Sequence, residues 1–395
     1  GTGTNTIATS TNGTTWTGLG TTVFTTQARG IAYGNGLWVA VGFGGSNTIA
    51  TSTDGSIWTG RGSTIFTSWG QYVLYNSNLW IAGGFGTNGI ATSSDGITWT
   101  GFGTTILRLG YGIGYSPAGS INLISIGYQA GYDNQKDSSV AIGYQAGQTQ
   151  QGTKSISIGY QAGILSQGMN SISIGTSAGA TGQNNNSIAM GYQAGQSTQG
   201  AQSIAIGYQA GILSQGVNAV AVGSSAGATG QKDSSISIGY QAGQSTQGTQ
   251  SIAVGYQAGQ LSQGVNSIAV GYQAGLNIQK SGSIAVGYLA GQTQQGTQSI
   301  AIGYQAGVLS QGMNSVSIGT LAGATGQKDS SIAIGYQAGQ STQGTQSVAI
   351  GYQAGQVSQG VNSIAVGYQA GLNIQNSGSI ALGYQAGQTQ QGTYS

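Results

Sequence analysis

The acidic side chains are the residues of this sequence with the most chemistry to offer, and they are few. The 395-residue chain has six acidic residues, all Asp, and it has no His, Glu or Cys. General acid–base catalysis would therefore depend on aspartates alone. Asp137, Asp233 and Asp329 each follow a lysine, and long, equal stretches of sequence separate them, so two carboxylates of one chain could not act together. No residues have the spacing of a metal site. We therefore expect neither an enzyme nor a cofactor-binding protein.

Two further aspartates, Asp54 and Asp95, lie in a short motif that occurs three times near the start of the chain. The motif reads "STNGTTW", "STDGSIW" and "SSDGITW". Asp or Asn before Gly favours a tight turn, because Gly tolerates positive φ and the short side chain bonds nearby amides. A Trp three positions after that Gly can then pack beneath the turn. We expect a structural role for Asn12, Gly13, Trp16, Asp54, Gly55, Trp58, Asp95, Gly96 and Trp99.

The spacing of these motifs indicates the fold of the first hundred residues. Their tryptophans, Trp16, Trp58 and Trp99, recur with a period near 40. Such a period, with short β-rich runs, is typical of a propeller blade or a similar four-stranded unit. The motifs resemble the Asp-box hairpins of sialidase-like β-propellers. The resemblance implies the blade fold for residues 1–106. It does not carry sialidase chemistry here, because that chemistry needs a Glu and an arginine cluster.

Composition excludes several classes of function. The net charge of +2 offers no basic surface for nucleic acid, and no apolar run approaches the length of a membrane-spanning helix. The chain is 38% hydrophobic and only 4% charged, so we expect it to fold. It begins with Gly1 and shows no signal peptide, which favours a processed product or a fragment.

The rest of the chain repeats the segment "SIAIGYQAGQSTQGTQ" with a 16-residue period that starts at Leu123. Numbering each repeat from its opening serine, positions 5 and 9 are always Gly, position 8 is always Ala and position 13 is always Gln. This period suits one coil of a β-solenoid. We predict 17 coils, with turns at both glycines and a strand whose aliphatic residues at positions 2 and 4 fill the core of the coil.

Two side-chain arrays follow from stacking the coils. Identical residues would lie roughly 4.8 Å apart, so we predict that the position-13 glutamines form a structural amide ladder. The small residues at positions 1 and 3 would face outward and let neighbouring chains approach an axis. Tyr occupies position 6 in most coils, which we interpret as packing, with glycan stacking as the alternative. The first seven members of the glutamine ladder are Gln135, Gln151, Gln167, Gln183, Gln199, Gln215 and Gln231.

A second, 48-residue period runs through the repeats. Position 14 is Lys or Asn in every third coil, as at Lys136, Asn184 and Lys232, and it is Gly in the others. Duplication of three coils at a time explains this rhythm, and lateral contacts along the rod are the alternative.

The motif "SIAIGYQAG" and its variants resemble the head repeats of trimeric autotransporter adhesins, and equally the β-roll repeats of phage and giant-virus tail fibres. The resemblance covers residues 123–394 and implies a left-handed β-roll wound by three chains. The repeat is longer than is usual for those adhesins. The chain also has no neck motif, coiled-coil stalk or membrane anchor, which favours a fibre shaft.

We therefore expect an all-β protein with Asp-box propeller-like blades at 1–106, a junction at 107–122 containing Pro117, and a 17-coil parallel β-solenoid at 123–395. The predicted function is a rigid extracellular or virion-surface fibre that self-associates as a homotrimer. The repeat reaches Ser395 without a cap, so we also expect more chain beyond it or a head-to-tail filament. The alternative is an adhesin whose blades bind a host-surface glycan or receptor. We expect no binding to nucleic acid and no membrane insertion.

Overall fold

A computed structural model describes residues 1–103, 106–112 and 121–395, and over these residues the chain forms strands and turns with no helix. Pro117 of the predicted junction lies outside the described residues. The chain divides into two compact units, Gly1–Ile142 and Gly143–Ser395. The domain boundary at 107–122 stays a prediction.

The first unit begins with short antiparallel strands. These are Ala8–Thr9 (β1), Thr17–Gly18 (β2), Gln27–Gly34 (β3), Leu37–Phe43 (β4), Ile49–Ser52 (β5), Thr59–Gly60 (β6), Trp69–Asn76 (β7), Leu79–Phe85 (β8), Ile90–Ser93 (β9) and Thr100–Gly101 (β10). One sheet contains β3 to β6 in chain order and another contains β7 to β10 in chain order, while β1 pairs with β2. Both four-stranded sheets are antiparallel throughout, as expected for units with a period near 40.

The two four-stranded sheets share one hydrophobic core. Val39 and Val41 of β4 pack with Val73 of β7 and Trp80 of β8, all of them buried. Glycine permits the close approach of β3 to β7, because a Cβ on Gly30 would overlap the backbone of Tyr72. These sheets have the four-stranded form of a blade. Closure into a propeller stays a prediction.

Each of the 17 repeats contributes a strand at positions 2–4, and these strands pair in parallel and in register. With the strand that precedes them, they are Ile106–Leu109 (β11), Leu123–Ile126 (β12), Val140–Ile142 (β13), Ile156–Ile158 (β15), Ile172–Ile174 (β17), Ile188–Met190 (β19), Ile204–Ile206 (β21), Val220–Val222 (β23), Ile236–Ile238 (β24), Ile252–Val254 (β26), Ile268–Val270 (β28), Ile284–Val286 (β30), Ile300–Ile302 (β32), Val316–Ile318 (β33), Ile332–Ile334 (β34), Val348–Ile350 (β36), Ile364–Val366 (β38) and Ile380–Leu382 (β40). In the first unit β11 pairs with β12 and β12 with β13, and the other fifteen strands follow in chain order in the second unit. The solenoid of about 17 parallel turns agrees with the prediction.

A second column of shorter parallel strands, ending at the position-13 glutamine, closes the other side of the coil. It forms one five-stranded sheet and two four-stranded sheets, with isolated bridges such as Gln231 to Gln247 between them. These strands are Thr149–Gln151 (β14), Leu165–Gln167 (β16), Thr181–Gln183 (β18), Ser197–Gln199 (β20), Leu213–Gln215 (β22), Thr246–Gln247 (β25), Ser262–Gln263 (β27), Ile278–Gln279 (β29), Gln294–Gln295 (β31), Thr342–Gln343 (β35), Ser358–Gln359 (β37), Ile374–Gln375 (β39) and Gln390–Gln391 (β41).

Left-handed backbone makes the turns of each coil. The glycines at positions 5 and 9 take positive φ, for example 128° at Gly207 and 53° at Gly211, which confirms the predicted turns. Position 7 also takes positive φ although it is usually Gln, as at Gln209 with 53°. Position 16 does so as well, as at Gln202 with 58°. The sequence did not reveal these further left-handed positions.

The predicted filling of the coil was wrong. The interior contains the Ala or Ser of position 3, the Ala of position 8, the opening serine and the glutamine of position 13, all fully or almost fully buried in every coil before the last. The aliphatic residues of positions 2 and 4 lie on the outer face instead, as Ile204 and Ile206 show. A coil this short leaves room between its two strands for small side chains and one hydrogen-bonded carboxamide. It leaves no room for two branched aliphatic residues.

Candidate assembly surface

The three motifs at Asn12, Asp54 and Asp95 form nearly identical turns. The Oδ1 atom of Asp54 accepts hydrogen bonds from the amides of Ser56 and Ile57, both at 2.8 Å, and from the Ser52 hydroxyl at 3.0 Å. Asp95 accepts from Ile97 N at 2.8 Å and Thr98 N at 2.7 Å. All these bonds are local, so the motif aspartates serve their own turns.

The first turn makes the same bonds with an amide oxygen. Asn12 Oδ1 accepts from Thr14 N at 3.0 Å and from Thr15 N at 2.8 Å. Gly13, Gly55 and Gly96 take φ of 74°, 74° and 75°. A Trp lies three positions after each of these glycines, and its indole nitrogen donates a hydrogen bond to the carbonyl of that Gly. The three residues are Trp16, Trp58 and Trp99, with distances of 3.3, 3.2 and 3.1 Å.

The hydrogen bonds received by the two carboxylates stabilise the charged form. The Ile57 amide, followed by the Ser56 amide and the Ser52 hydroxyl, lowers the pKa of Asp54 below its usual 3.8. The Thr98 and Ile97 amides, followed by Ser93, lower the pKa of Asp95 in the same way. These aspartates are therefore acceptors in turns and unsuited to donate a proton near neutral pH.

The seven glutamines predicted as a ladder are all buried, Gln135 in the first unit and the other six in the second: Gln151, Gln167, Gln183, Gln199, Gln215 and Gln231. Their side chains reach the backbone as well as one another. For example, Gln183 Nε2 donates to Ile172 O of its own coil at 2.9 Å and to Gln199 Oε1 of the next coil at 3.1 Å. The glutamines therefore hold the two strands of each coil together and link some coils along the stack.

The residue at position 3 decides whether the glutamine oxygen has a partner within the coil. Where position 3 is Ser, its hydroxyl donates to that oxygen, as from Ser173 to Gln183 at 2.6 Å. Where it is Ala, the oxygen accepts from the preceding glutamine or has no partner among the described residues. Gln263 and Gln359 are examples of the second case.

The aliphatic residues of positions 2 and 4 form a stripe along the outer face of the first strand column, which we call the aliphatic stripe. In all fifteen coils that start within Gly143–Ser395, both positions are partly or largely exposed. Ile206, Ile238 and Ile302 are 37–41% exposed. A monomeric protein rarely leaves a contiguous apolar surface of this extent in water, so the aliphatic stripe is the candidate interface.

The position-6 tyrosines form a second array. Successive rings are stacked with centroids 5.0–5.2 Å apart and interplanar angles of 5–15°. Because each ring covers the face of its neighbour, a sugar cannot stack on a ring inside this array. The array is therefore a packing feature over most of its length.

Other kinds of site are missing from the described part of the chain. It contains no group of three or more His, Cys, Asp or Glu side chains close enough to hold a metal ion. The search for a helix of sufficient length and apolarity to span a bilayer found none over the same residues.

Comparison with known proteins agrees with this geometry. The family model described as the YadA head domain repeat (two copies) matches residues 166–194, 183–210, 214–242, 295–322 and 310–338. No curated protein and no solved structure matches the chain. All five matched segments lie within the 16-residue repeats, and they confirm the predicted adhesin-type head repeats there. The repeats of this chain are thus similar to those of adhesin-like fibrous surface proteins.

Proposed function

We propose that the chain is a structural subunit of a surface fibre, in which three solenoids associate along their aliphatic stripes. The observation that supports it most strongly is the stripe itself, because in the fifteen coils that start within Gly143–Ser395 the branched aliphatic residues lie outside the coil, whereas Ala, Ser and Gln fill its interior. At about 4.8 Å per coil, fifteen coils extend it over about 70 Å. Burial of this stripe would supply the hydrophobic core that a single coil lacks.

The first strand column is a better interface than the second. The second column also exposes an aliphatic residue at position 11, but only in every third coil, namely Leu165, Leu213, Leu261, Leu309 and Val357. Polar residues occupy it in the coils between them. The continuous stripe therefore suits a close contact along the whole rod, and similarity to adhesin head repeats supports a trimer on a cell or virion surface. A non-enzymatic role and head-to-tail assembly stay predictions.

The mass of the purified chain in solution tests this proposal. Light scattering should give three times the 39.3 kDa of one chain. The variant Ile206→Thr/Ile238→Thr/Ile302→Thr should reduce this mass towards that of the monomer. Its matched control, Leu213→Thr/Leu261→Thr/Leu309→Thr, changes residues of similar exposure on the second column and should leave the mass unchanged. A monomeric wild type, or equal losses in both variants, would contradict the proposal.

A surface of the first unit supports attachment to a glycan as a second candidate function. The exposed Arg29 guanidinium lies 5.1 Å from the ring centre of Phe43 and 5.4 Å from that of Trp69. The Phe85 ring lies 4.7 Å from Trp69, and Tyr72 is exposed nearby on β7. Phe43 and Trp69 are themselves partly buried. An acidic sugar would therefore meet the Arg29 cation and the exposed rings of Phe85 and Tyr72. A glycan array should show binding that Arg29→Ala abolishes, and an array without a hit would count against attachment.

A further inference from the structure

The tyrosine array is interrupted at three places, and the interruptions have a common geometry. Position 6 is Thr176, Ser224 or Thr320 in these coils, and tyrosines flank each of them on both sides. Neighbouring rings elsewhere are 5.0–5.2 Å apart. The rings on either side of an interruption are two coil steps, about 10 Å, apart. One stacked ring is missing from each interruption, which we call a gap.

The tyrosine that precedes each gap is more exposed than the tyrosines inside the array. Tyr160, Tyr208 and Tyr304, which precede the three gaps, are 50–54% exposed, whereas Tyr256, Tyr272 and Tyr288 inside the longest run are 42–43% exposed. The small Thr or Ser side chain does not replace the missing ring. Each gap therefore presents two aromatic faces at the separation that one further aromatic ring fills in the other coils.

Hydrogen-bonding groups lie beside the first two gaps. The glutamines of position 7 form a chain in which Nε2 donates to the glutamine Oε1 of the preceding coil, as from Gln209 to Gln193 at 2.9 Å. Ser177 and Ser225 break this chain at the gap coils. Within the described residues, the donor Nε2 of Gln193 and of Gln241 then has no hydrogen-bond partner.

On the opposite side of each of the first two gaps, the glutamine oxygen Oε1 also has no partner within the described residues. Gln161 donates to Gln145 at 2.9 Å and Gln209 donates to Gln193, but neither Oε1 receives a hydrogen bond from any described residue. Each of the first two gaps thus combines two ring faces with a carboxamide donor on one side and a carboxamide acceptor on the other.

We propose that each gap binds one planar aromatic ring carrying a hydrogen-bonding group at its edge, such as a phenol or an aryl carboxamide. Stacking on both sides restores the ring spacing of the array, and aromatic pairs are favourable beyond the burial of their area. The edge group occupies the break in the glutamine chain. The third gap is also flanked by glutamines, Gln305 and Gln337, but it has the apolar Leu321 at position 7 where the first two gaps have Ser. We therefore expect it to be the weakest of the three.

Counting the bound ligands tests the proposal. Equilibrium dialysis of the full chain with 4-hydroxybenzamide should give three sites per chain. Ser224→Tyr/Ser225→Gln restores the repeat at the middle gap and should reduce the count to two. Tyr256→Ser/Gln257→Ser opens a new gap between Tyr240 and Tyr272 and should raise it to four. Circular dichroism confirms that each variant keeps the solenoid. Absence of saturable binding, or a count that does not follow the number of gaps, would overturn the proposal.

Competition experiments define the chemistry and the source of the ring. Methyl glucoside should not displace 4-hydroxybenzamide, and displacement at equal concentration would overturn the assignment of an aromatic ligand. N-acetyltyrosine amide represents a tyrosine side chain of a partner protein. Equal competition by this compound supports a protein source, whereas binding of 4-hydroxybenzamide alone supports a free aromatic molecule. Both results keep the gap as the binding site.

Discussion

At the scale of single residues, the turns at Asn12, Asp54 and Asp95 show how one side-chain oxygen organises a loop. Asp54 and Asp95 each accept two backbone amides and one serine hydroxyl. Asn12 accepts equivalent bonds without a charge. The same turn therefore occurs in this chain with a titratable carboxylate, at Asp54 and Asp95, and with a neutral amide, at Asn12.

This comparison predicts how the first unit responds to acid. The folded-state pKa of Asp54 and Asp95 is below the usual 3.8. Their charged forms therefore stabilise the fold fully above that pH, and the contribution is lost as the pH falls from there through the folded-state pKa. All six Trp lie between Trp16 and Trp99, so thermal unfolding followed by Trp fluorescence reports on this unit. We expect its melting temperature to fall between pH 5 and pH 2.

The double variant Asp54→Asn/Asp95→Asn is the control for this acid response. Its amide oxygens should keep the turn bonds, as Asn12 does, but cannot titrate. We expect a smaller decrease in melting temperature over the same pH range than in the wild type. An equal decrease in both proteins would assign the acid response to other groups.

The buried glutamines lead to a second prediction at the residue scale. The variant Ala253→Ser would place a hydroxyl where Ser237 of the preceding coil already donates to its glutamine, and Gln263 Oε1 would gain the partner it lacks. A buried hydrogen bond contributes about 1 kcal/mol, so amide exchange in this coil should slow about fivefold. Ser237→Ala should accelerate exchange in its own coil. Unchanged or faster exchange in Ala253→Ser would show that the hydroxyl does not fit.

At the scale of the coil, position 14 explains part of the 48-residue rhythm. Where this residue is Gly, its amide nitrogen lies 2.7–2.9 Å from the carbonyl oxygen of the position-13 glutamine in the next coil. Where it is Lys or Asn, the same distance is 3.1–3.3 Å. A Cβ at Gly200 would overlap the backbone of Gly216. A side chain at position 14 is therefore accommodated by a slightly wider step between coils, and only every third coil makes that step.

This difference predicts unequal costs for two alanine substitutions. Gly200→Ala should destabilise the solenoid by about 1–3 kcal/mol, because the new methyl group overlaps the next coil. Lys232→Ala should change stability by less than about 0.5 kcal/mol, because a Cβ is already accommodated there. Denaturant unfolding followed by far-ultraviolet circular dichroism measures both. Similar costs would mean that the step between coils adjusts freely.

The repeat period predicted the strands and glycine turns, but it did not predict which face of the strand is inside. Alternation defines two faces, and we assigned the bulky one to the core as in ordinary sheets. The pattern of residue variation in the repeats argues against that assignment. Position 8 is always Ala and position 13 always Gln, whereas positions 2 and 4 vary among Ile, Val, Leu and Met. A narrow interior requires fixed volumes, and a surface buried between chains tolerates this variation.

At the scale of the molecule, the two units differ in how far the sequence predicts them. The solenoid follows from a 16-residue period without insertions, because each coil pairs with a near-identical coil in register. The first unit contains only two complete copies of its longer period. Its sheets and Asn/Asp–Gly turns were therefore predictable, whereas closure into a propeller stays a prediction.

The most direct test of the central claim is cryo-electron microscopy of the purified chain, resolving the cross-section of the solenoid. We predict threefold symmetry, with the aliphatic stripes of three chains, including Ile206 and Ile238, in contact around the axis and the tyrosine array outside it. A single solenoid would contradict this account, as would an assembly joined through the second strand column with the aliphatic stripe in solvent.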